Sequence, residues 1–532
     1  MLANVPRQSL AQDYQWCVTL DGKPSAETGK HPEAFLWIPD TCTKVKAVVF
    51  SQQNMTEETI FRNPEFQKTL SRLGFAIVWT APNFSQEWLV SDGCQERFET
   101  MMKSLDAISG YSELATAPIV PIGHSAMATM PWNFAAWNPE RTLAIISYHG
   151  DAPRTNLCGY GRENIEWGRS RNIDGIPGLM IEGEWEWWKA RVNPALSFRM
   201  KYPGSCISFL CDAGHGHFDA TPQSIGYICK FLEKVVSARL TGSSKLKKLS
   251  PYDGWYLPRW DKEAPLSSYV TVKGPSSVST EREKYEFEKR TRDHFWYIDR
   301  EMAELTRSIY ASSLGRKTAH IGYTRDGKLL GYTAKLHAGT IVEPEFASDG
   351  LTFHFSAAFT DTTRSVLAAK HPKSKIDIDV INGPCTKLND STFRFSAYRI
   401  GLDNPRRSTD IWLQAVAETD GEYKAAVQQL EVKCPYRIKD GKEQTLTFAA
   451  IRDITSKVKT VKLRAKADSG LPVGFYVKYG PAHIEGDKLH INAIPPHAKF
   501  PIKVSVVAWQ YGISGKYNTA ESVERTFLIN NE

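Results

Sequence analysis

Short apolar runs alternate with helix-like segments between about residues 45 and 238. Each run is short enough for a buried strand, and the segments between the runs space their apolar residues as helices do. In chain order the predicted strands read KAVVFSQ, FAIVWTAP, APIVPIGHS, TLAIISYHG, LMIEGE and CISFLCDAG. This alternation predicts an α/β domain in which a mostly parallel sheet is covered by helices on both faces. Such sheets bind ligands at the carboxyl ends of their strands.

The pattern changes after residue 240. A polar linker, TGSSKLKKLSPYDG, leads into a segment whose apolar spacing predicts an amphipathic helix from Asp293 to about Ser312. From about residue 335 to the end, short β-type runs are separated by turn signals roughly every ten residues. The C-terminal part of the chain is therefore predicted to be all-β.

This β-rich tail contains an internal repeat. Its Gly-Pro pairs at 383–384 and 480–481 lie 97 residues apart. A period of about 95 residues of short strands has the size of one immunoglobulin-like sandwich, and the second unit resembles bacterial Ig-like modules. We therefore divide the chain into an α/β domain at 1–240, a linker and helical connecting segment at 241–334, and Ig-like sandwiches at 335–437 and 438–532.

Composition narrows the class of protein. The chain has 532 residues, of which 42% are hydrophobic and 23% charged, as in soluble globular domains. The net charge is +7, but Lys and Arg do not form long runs, so no nucleic-acid-binding surface is indicated. No window approaches 18 consecutive apolar residues, so no membrane span is predicted. The sequence gives no indication of an oligomeric state.

The cysteines and the N-terminal segment bear on location. None of the nine cysteines forms a CxxC pair, which disfavours zinc-binding and thioredoxin-like sites. Free buried thiols are expected, with one bridge such as Cys17 to Cys42 compatible with export. The segment MLANVPRQSLAQDYQW lacks the apolar core of a signal peptide, although SLAQ resembles the end of one. We expect a truncated or misassigned start and a periplasmic or secreted protein.

The most informative stretch is IVPIGHSAMATMPWNF, in which a predicted strand turns sharply at Gly-His-Ser into a predicted helix. Ser125 at this turn is either a helix N-cap or a nucleophile presented by a strand–turn–helix elbow. Gly123 and Ala126 supply small neighbours, but Met127 replaces the second glycine of G-x-S-x-G. The motif alone leaves both roles open.

Further candidates follow Ser125 in the chain order that a Ser–acid–His hydrolase of this topology requires. The loop after the last predicted strand, CDAGHGHFDATPQS, holds His215 and His217. The preceding strand ends in LMIEGEWEWW, which supplies Glu184 and Glu186. Asp151, after the strand before that, is a third candidate acid.

With three sites in this order, residues from about 20 to 240 resemble an α/β-hydrolase of the serine esterase type. The resemblance implies that Ser125 is the nucleophile. Members often place the acid three residues after the glycine that ends its strand, which from Gly183 gives Glu186. Many members read GHF at the base, which gives His217.

Some assignments stay open at this point. Other members read AGHG at the base, which would be His215, and Glu184 and Asp151 remain alternatives for the acid. Met127 departs from the family pattern and bears on how closely the helix approaches the sheet.

An oxyanion formed during ester hydrolysis requires two backbone N–H donors. The resemblance implies Ala126, directly after the nucleophile, as one donor. The other is expected in the loop SQQNM after the first predicted strand, where Gln53 is preferred to Asn54. A Ser–His–acid mechanism needs no metal or organic cofactor.

Two features beside the expected site suggest a carbohydrate substrate. The stretch EWEWWKAR places Trp185, Trp187 and Trp188 next to the acid, where indoles either pack or stack on sugar rings. The polar loop 151–178 carries Arg154 among several arginines and acids, and it has the character of a lid. Trailing Ig-like modules, which are expected to do no chemistry, resemble those of secreted polysaccharide-degrading enzymes.

We therefore expect a serine carbohydrate esterase that removes an acetyl group or a uronate methyl ester from a plant-type polysaccharide. Two alternatives remain. One is a serine peptidase or other acyl hydrolase on the same machinery. The other is a non-catalytic glycan-binding or adhesion protein, which the complete Ser–acid–His order disfavours.

Overall fold

A computed structural model describes residues 14–153, 172–186, 188–242, 245–276, 280–335 and 338–532. An eight-stranded sheet forms the centre of the N-terminal domain. Its strands are β1 (Trp16–Thr19), β2 (Glu33–Trp37), β3 (Ala47–Gln52), β4 (Phe75–Ala81), β5 (Ile119–His124), β6 (Ile145–Tyr148), β7 (Pro177–Gly183) and β8 (Cys206–Asp212). Their order across the sheet is β1-β2-β4-β3-β5-β6-β7-β8.

The sheet is mostly parallel. The pairs β1–β2 and β2–β4 are antiparallel, and all other neighbours are parallel. Every residue of β3 to β8 is buried, which is typical of a sheet covered on both faces. The sequence pattern predicts these six strands but not β1 and β2.

Helices cover both faces of this sheet. They are α1 (Glu57–Phe61), α2 (Pro64–Leu73), α3 (Cys94–Ser109), α4 (Met130–Trp137), α5 (Trp188–Lys201) and α6 (Pro222–Arg239). Phe66 of α2 and Ile228 of α6 belong to one apolar cluster, whereas Phe98 of α3 belongs to a second cluster on the other face. Among the described residues, none of the helices has the length and apolarity needed to cross a membrane.

The connecting segment folds as a small α/β unit. Its strands Trp255–Pro258, Val272–Lys273 and His294–Tyr297 form one sheet, and its helices are α7 (Glu281–Arg290) and α8 (Arg300–Ala311). The predicted helix from Asp293 therefore starts later than expected. The aromatic run HFWY pairs with Trp255–Pro258, and Asp299 caps α8 by accepting from the Met302 N–H at 2.9 Å.

This unit packs against β8, the last strand of the main sheet. The hydroxyl of Tyr297 donates to the carbonyl of Phe209 at 2.6 Å, and the Cys211 N–H donates to the hydroxyl of Tyr310 at 3.3 Å. Two tyrosines thus satisfy backbone groups that a neighbouring strand would otherwise pair.

The tail forms two β-sandwiches. The first sandwich (residues 320–433) pairs a sheet of Ile341–Val342, Ala426–Lys433, Asp410–Ala417 and Ile376–Asn382 with one of Thr352–His354, Thr392–Phe395 and Cys385–Lys387, beside a sheet of His320–Arg325, Lys328–Leu329 and Ser356–Thr360. The second sandwich (residues 446–530) pairs Ile454–Thr455, Val523–Asn530, Ile502–Trp509 and Gly474–Tyr479 with Thr460–Lys462, Lys488–Ile491 and Ala482–Glu485, beside Leu446–Phe448 and Ala465–Ala467.

The internal repeat of the sequence is also a repeat of structure. In each unit a short strand pairs in parallel with the last long strand. The four-stranded sheet and its three-stranded partner follow the same strand order in both units, whereas the remaining sheet has three strands in the first unit and two in the second. Each unit also has a register shift just before its Gly-Pro pair, where Gly383 and Gly480 adopt φ values of 100° and 127°. The first sandwich includes strands that precede the expected boundary at residue 335. The immunoglobulin-like identity of both units stays a prediction.

The suggested bridge between Cys17 and Cys42 is wrong, because both thiols are free. Cys17 lies on β1 and Cys42 follows β2, on two different apolar clusters of the domain. Burial raises the pKa of both thiols, so neither is activated as a thiolate.

Candidate active site

Ser125 lies at a strained turn between β5 and α4. Its φ is 53°, in the left-handed region that residues other than glycine seldom occupy. A short 3₁₀ turn, Ser125–Met127, follows it directly. The Ser125 hydroxyl contacts a histidine ring rather than a helix N–H, so the geometry is that of an elbow that presents a side chain.

Two glycines allow the close packing around this elbow. A Cβ on Gly123 would lie 2.2 Å from the Met127 carbonyl oxygen, and one on Gly150 would lie 1.9 Å from the Ala128 Cβ. The family pattern has its second glycine at position 127; here the close approach is made by Ala128 instead, and the glycine that permits it is Gly150, two residues after β6. Met127 itself is fully buried in an apolar cluster.

Three of the predicted residues form a continuous chain of contacts. His217 Nε2 lies 2.6 Å from Ser125 Oγ. The other ring nitrogen, Nδ1, lies 2.5 Å from Glu186 Oε2. Because β5, β7 and β8 end at the same edge of the sheet, residues far apart in sequence meet there. The arrangement matches a nucleophile, a base and an acid that orients the base.

Glu186 is almost completely enclosed, with 1% of its side chain exposed. The Gly183 N–H donates to its Oε1 at 2.7 Å, and Arg191 Nη1 donates to its Oε2 at 2.7 Å. Burial raises the pKa of this carboxyl, while the guanidinium of Arg191 and the Gly183 N–H oppose the rise. Arg191 therefore favours the carboxylate form of Glu186.

A second buried glutamate shares the same arginine. Arg191 Nη1 donates to Glu182 Oε2 at 3.0 Å, and its Nε lies 3.6 Å from Asp151 Oδ1. Burial, and next the charge of Glu186, raise the pKa of Glu182 well above its usual range. Of the two glutamates, we expect Glu182 to hold a proton first, which leaves the charge on Glu186.

Replacement of Arg191 by methionine should shift the acid limb of activity to higher pH. Without the guanidinium, protonated Glu186 becomes more stable, so the carboxylate forms only at higher pH. A shift of about one unit or more is expected from loss of a contacting opposite charge. The measurement is kcat/KM for ester hydrolysis as a function of pH. Arg72→Met is the control, because it removes an exposed arginine that forms an ion pair with Glu233. An unshifted acid limb in folded Arg191→Met would contradict this role.

Two further histidines hold the loop between β8 and α6. His124 Nε2 and His149 Nδ1 lie 2.8 and 3.0 Å from the carbonyl oxygen of His217. Burial lowers the pKa of both rings well below their usual range, so both are neutral and can donate through these nitrogens. His149 Nδ1 is also 3.1 Å from Glu186 Oε1.

Sequence reasoning missed both of these histidines. The available signals were their positions. His124 stands between Gly123 and Ser125 in the elbow, and His149 follows β6 at a φ of 47°.

The alternative bases and acids lie elsewhere. His215 lies between two carboxylates, with Nε2 3.6 Å from Asp212 Oδ1 and Nδ1 3.4 Å from Asp219 Oδ2. Glu184 forms a buried ion pair with Lys424 of the first sandwich at 2.6 Å. The Asp151 carboxylate lies against Arg191, as above. In the part of the chain that the structure describes, none of these three candidates contacts Ser125.

The oxyanion assignment requires one correction. The Gln53 N–H donates to the Thr80 carbonyl at 2.7 Å, which extends the β3–β4 ladder by one bond and occupies this donor. Asn54, the second choice, has a backbone N–H without an acceptor among the described residues, and its side chain donates to the His124 carbonyl at 2.7 Å. Within the described residues, the Ala126 N–H likewise has no acceptor.

The predicted substrate contacts are only partly described. Trp185 is 48% exposed and directly precedes Glu186 in the chain, with Lys424 Nζ 4.6 Å from its ring centroid. An exposed indole is available for stacking. Trp187 and Arg154 lie outside the described residues.

Comparisons with known proteins give partial likenesses. No protein-family model and no curated protein matches the chain. Among solved structures, Est1E from Butyrivibrio proteoclasticus is similar at 14% identity and a TM-score of 0.28, over 42% of this chain and 99% of that one. The S-formylglutathione hydrolase FrmB from Staphylococcus aureus is similar at 11% identity and a TM-score of 0.28, over 42% of this chain and 97% of that one. An esterase from Pyrobaculum calidifontis is similar at 13% identity and a TM-score of 0.30, over 42% of this chain and 86% of that one.

Proposed function

We propose that this protein is a serine ester hydrolase that acts through Ser125, His217 and Glu186. The observation that carries the proposal is the unbroken chain of contacts from Ser125 Oγ through both ring nitrogens of His217 to Glu186. A serine hydroxyl is a weak nucleophile until a base accepts its proton. His217 Nε2 is placed to accept it, and Glu186 is placed to fix the ring and offset the imidazolium charge.

In the first half of the reaction Ser125 Oγ bonds to the ester carbonyl carbon while its proton moves to His217 Nε2. The carbonyl oxygen becomes an oxyanion, for which we propose the N–H groups of Ala126 and Asn54 as donors. The C–O bond to the alcohol then breaks, and the alcohol leaves with the proton from His217.

In the second half, water attacks the acyl group on Ser125. His217 accepts a proton from the water and returns it to Ser125 Oγ as the acid product leaves. The cycle uses one water per ester and regenerates the enzyme without any further reactant.

We propose as substrate a small ester on a plant-type polysaccharide, either an acetyl group on a sugar or the methyl ester of a uronic acid. The exposed Trp185, which directly precedes Glu186, supports this, because indoles stack on sugar rings. An acetyl esterase holds the sugar on the alcohol side of the scissile bond, whereas a uronate methylesterase holds it on the acyl side.

The substrate class is tested by incubating the protein with acetylated xylan and with methyl-esterified pectin. Released acetate and methanol are assayed separately, with Ser125→Ala as the blank. We expect one of the two products from wild type only. If neither product forms, while peptides or long-chain lipid esters are cleaved, the carbohydrate part of the proposal is wrong and the serine-hydrolase part remains.

A further inference from the structure

The first sandwich packs directly on the loops that build the candidate active site. These are the oxyanion loop (residues 53–56), the acid loop (residues 183–186) and the base loop (residues 213–221). Within the described residues, contacts from the sandwich reach all three. Their pattern differs from that of a tethered module, which would face the site across solvent.

The oxyanion loop carries the densest contacts. Asn382 Nδ2 donates to the Met55 carbonyl at 2.9 Å, and Arg407 Nη1 donates to the Asn54 carbonyl at 2.6 Å. Directly after the loop, in the first turn of α1, Glu58 accepts at Oε1 from Arg399 Nε at 2.9 Å.

These bonds determine how the loop presents its N–H groups. Successive peptide planes share an α-carbon, so their carbonyl directions constrain each other. The carbonyl of Gln53 accepts from Asn83 Nδ2 at 3.3 Å, which orients the plane carrying the Asn54 N–H. Arg407 and Asn382 fix the next two carbonyls. With all three carbonyls bound, the Asn54 N–H has little freedom to turn.

The base loop is held in a similar way. The Ala220 N–H donates to Gln414 Oε1 at 3.1 Å, and Gln414 Nε2 donates to the Ala220 carbonyl at 3.2 Å. Trp412 packs on Phe218, the residue after His217, with ring centroids 4.7 Å apart.

The sandwich also approaches the start of the base loop closely. A Cβ on Gly214 would lie 1.9 Å from the Ala425 carbonyl oxygen, so only glycine fits there.

The acid loop receives one buried ion pair. Lys424 Nζ lies 2.6 Å from both carboxylate oxygens of Glu184, and the Gly214 N–H donates to the same carboxylate at 2.8 Å. Glu184 thus ties the acid and base loops to each other and to the sandwich.

We propose that the first sandwich is a positioning element of the catalytic site, and that Asn382 and Arg407 are positioning residues that hold the oxyanion loop. The inference rests on the proposed function, because it concerns the same reaction. Neither residue touches the reacting atoms. Their effect is on how well the Asn54 N–H meets the oxyanion, which forms only during the reaction.

The test compares Asn382→Asp and Arg407→Met with wild type, all as full-length protein. Aspartate keeps the oxygen that accepts from the Gly383 N–H but loses the donor to Met55. We expect kcat for a short acyl nitrophenyl ester to fall about ten- to hundred-fold, because small displacements of an oxyanion donor are costly. KM should change less than about two-fold, since the oxyanion is absent from the bound ground state.

A second readout separates positioning from a merely structural role. A trifluoromethyl ketone forms a tetrahedral oxyanion with the serine, so its inhibition constant should rise by about the same factor as kcat/KM falls. Arg407→Lys, which keeps a cationic donor, should recover part of the loss.

Lys478→Met is the matched control. Lys478 Nζ of the second sandwich lies 2.7 Å from Glu33 Oε1 on β2, and this ion pair does not involve the three loops. The kcat and inhibitor affinity of this variant should stay within about two-fold of wild type.

The outcomes distinguish this inference from the proposed function. If Ser125→Ala loses activity but folded Asn382→Asp and Arg407→Met retain wild-type kcat and inhibitor affinity, the positioning role is wrong and the triad stands. If Ser125→Ala retains activity, both fail. Should either substitution prevent folding, Arg407→Lys decides by the same two measurements.

Discussion

Replacement of Ser125 by alanine is expected to reduce ester hydrolysis by at least several hundred-fold while leaving the fold intact. The change removes the oxygen that lies 2.6 Å from His217 Nε2, so the base has nothing to activate. What remains is catalysis by the oxyanion donors and by binding alone. Alanine and serine bear the positive φ at this turn about equally, so the melting temperature should change little.

The measurement is kcat/KM on short acyl nitrophenyl esters together with thermal unfolding. Ser71→Ala is a suitable control, because that serine donates only to the Gln67 carbonyl within α2. A folded Ser125→Ala protein with unchanged activity would rule out the mechanism proposed here.

Replacement of His217 by glutamine should reduce kcat/KM by about a thousand-fold or more, whereas His215→Gln should act mainly on stability. Among the described residues, His217 alone contacts both Ser125 and Glu186. Burial disfavours the charge on His215, but Asp212 and Asp219 outweigh this and raise its pKa to about 9. A histidine that is already protonated at neutral pH cannot serve as a general base.

The pH dependence of stability gives His215 its own signature. Because its pKa is higher in the folded protein than the unfolded value near 6.5, the charge stabilises the fold fully below pH 6.5. This stabilisation is lost as pH rises through about 9. His215→Gln should therefore lower the free energy of unfolding by about 3 kcal/mol at pH 6 and by much less at pH 10. Retained activity in His217→Gln, with full loss in His215→Gln, would reverse the two roles.

Periodicity and chain order were sufficient to predict the core of the α/β domain. Five of the six buried strands are short apolar runs with a helix after them, so their neighbours in sequence help to define them. The exception is β6, which the polar segment 151–178 follows in the sequence. Strands β1 and β2 are antiparallel and join without a helix, so they fall outside that alternation. The strand order also explains why Ser125, Glu186 and His217 are brought to one edge.

The oxyanion donor shows where the sequence stops being informative. Whether Gln53 or Asn54 offers a free N–H depends on one additional ladder bond, from Gln53 to Thr80. A local pattern fixes the end of a strand only to within a residue or two, and here one residue decides the chemistry.

Contacts between the domains could not have been predicted in this way. Asn382 and Met55 are 327 residues apart, and neither belongs to a recognisable motif. An asparagine after a strand looks like an ordinary turn residue. Its hydrogen bond to the oxyanion loop depends on how two surfaces meet, and hydrophobic periodicity carries no information about that.

The tyrosine hydroxyls on the outer side of β8 bear on how this protein can be divided. A bare edge strand is a template for pairing with another chain, and proteins cover or interrupt such edges to prevent aggregation. A fragment cut after α6 would uncover the backbone groups of Phe209 and Cys211 that Tyr297 and Tyr310 now engage. Recombinant fragments ending near residue 240 should therefore associate through β8, whereas fragments extended through Ala311 should keep this edge covered.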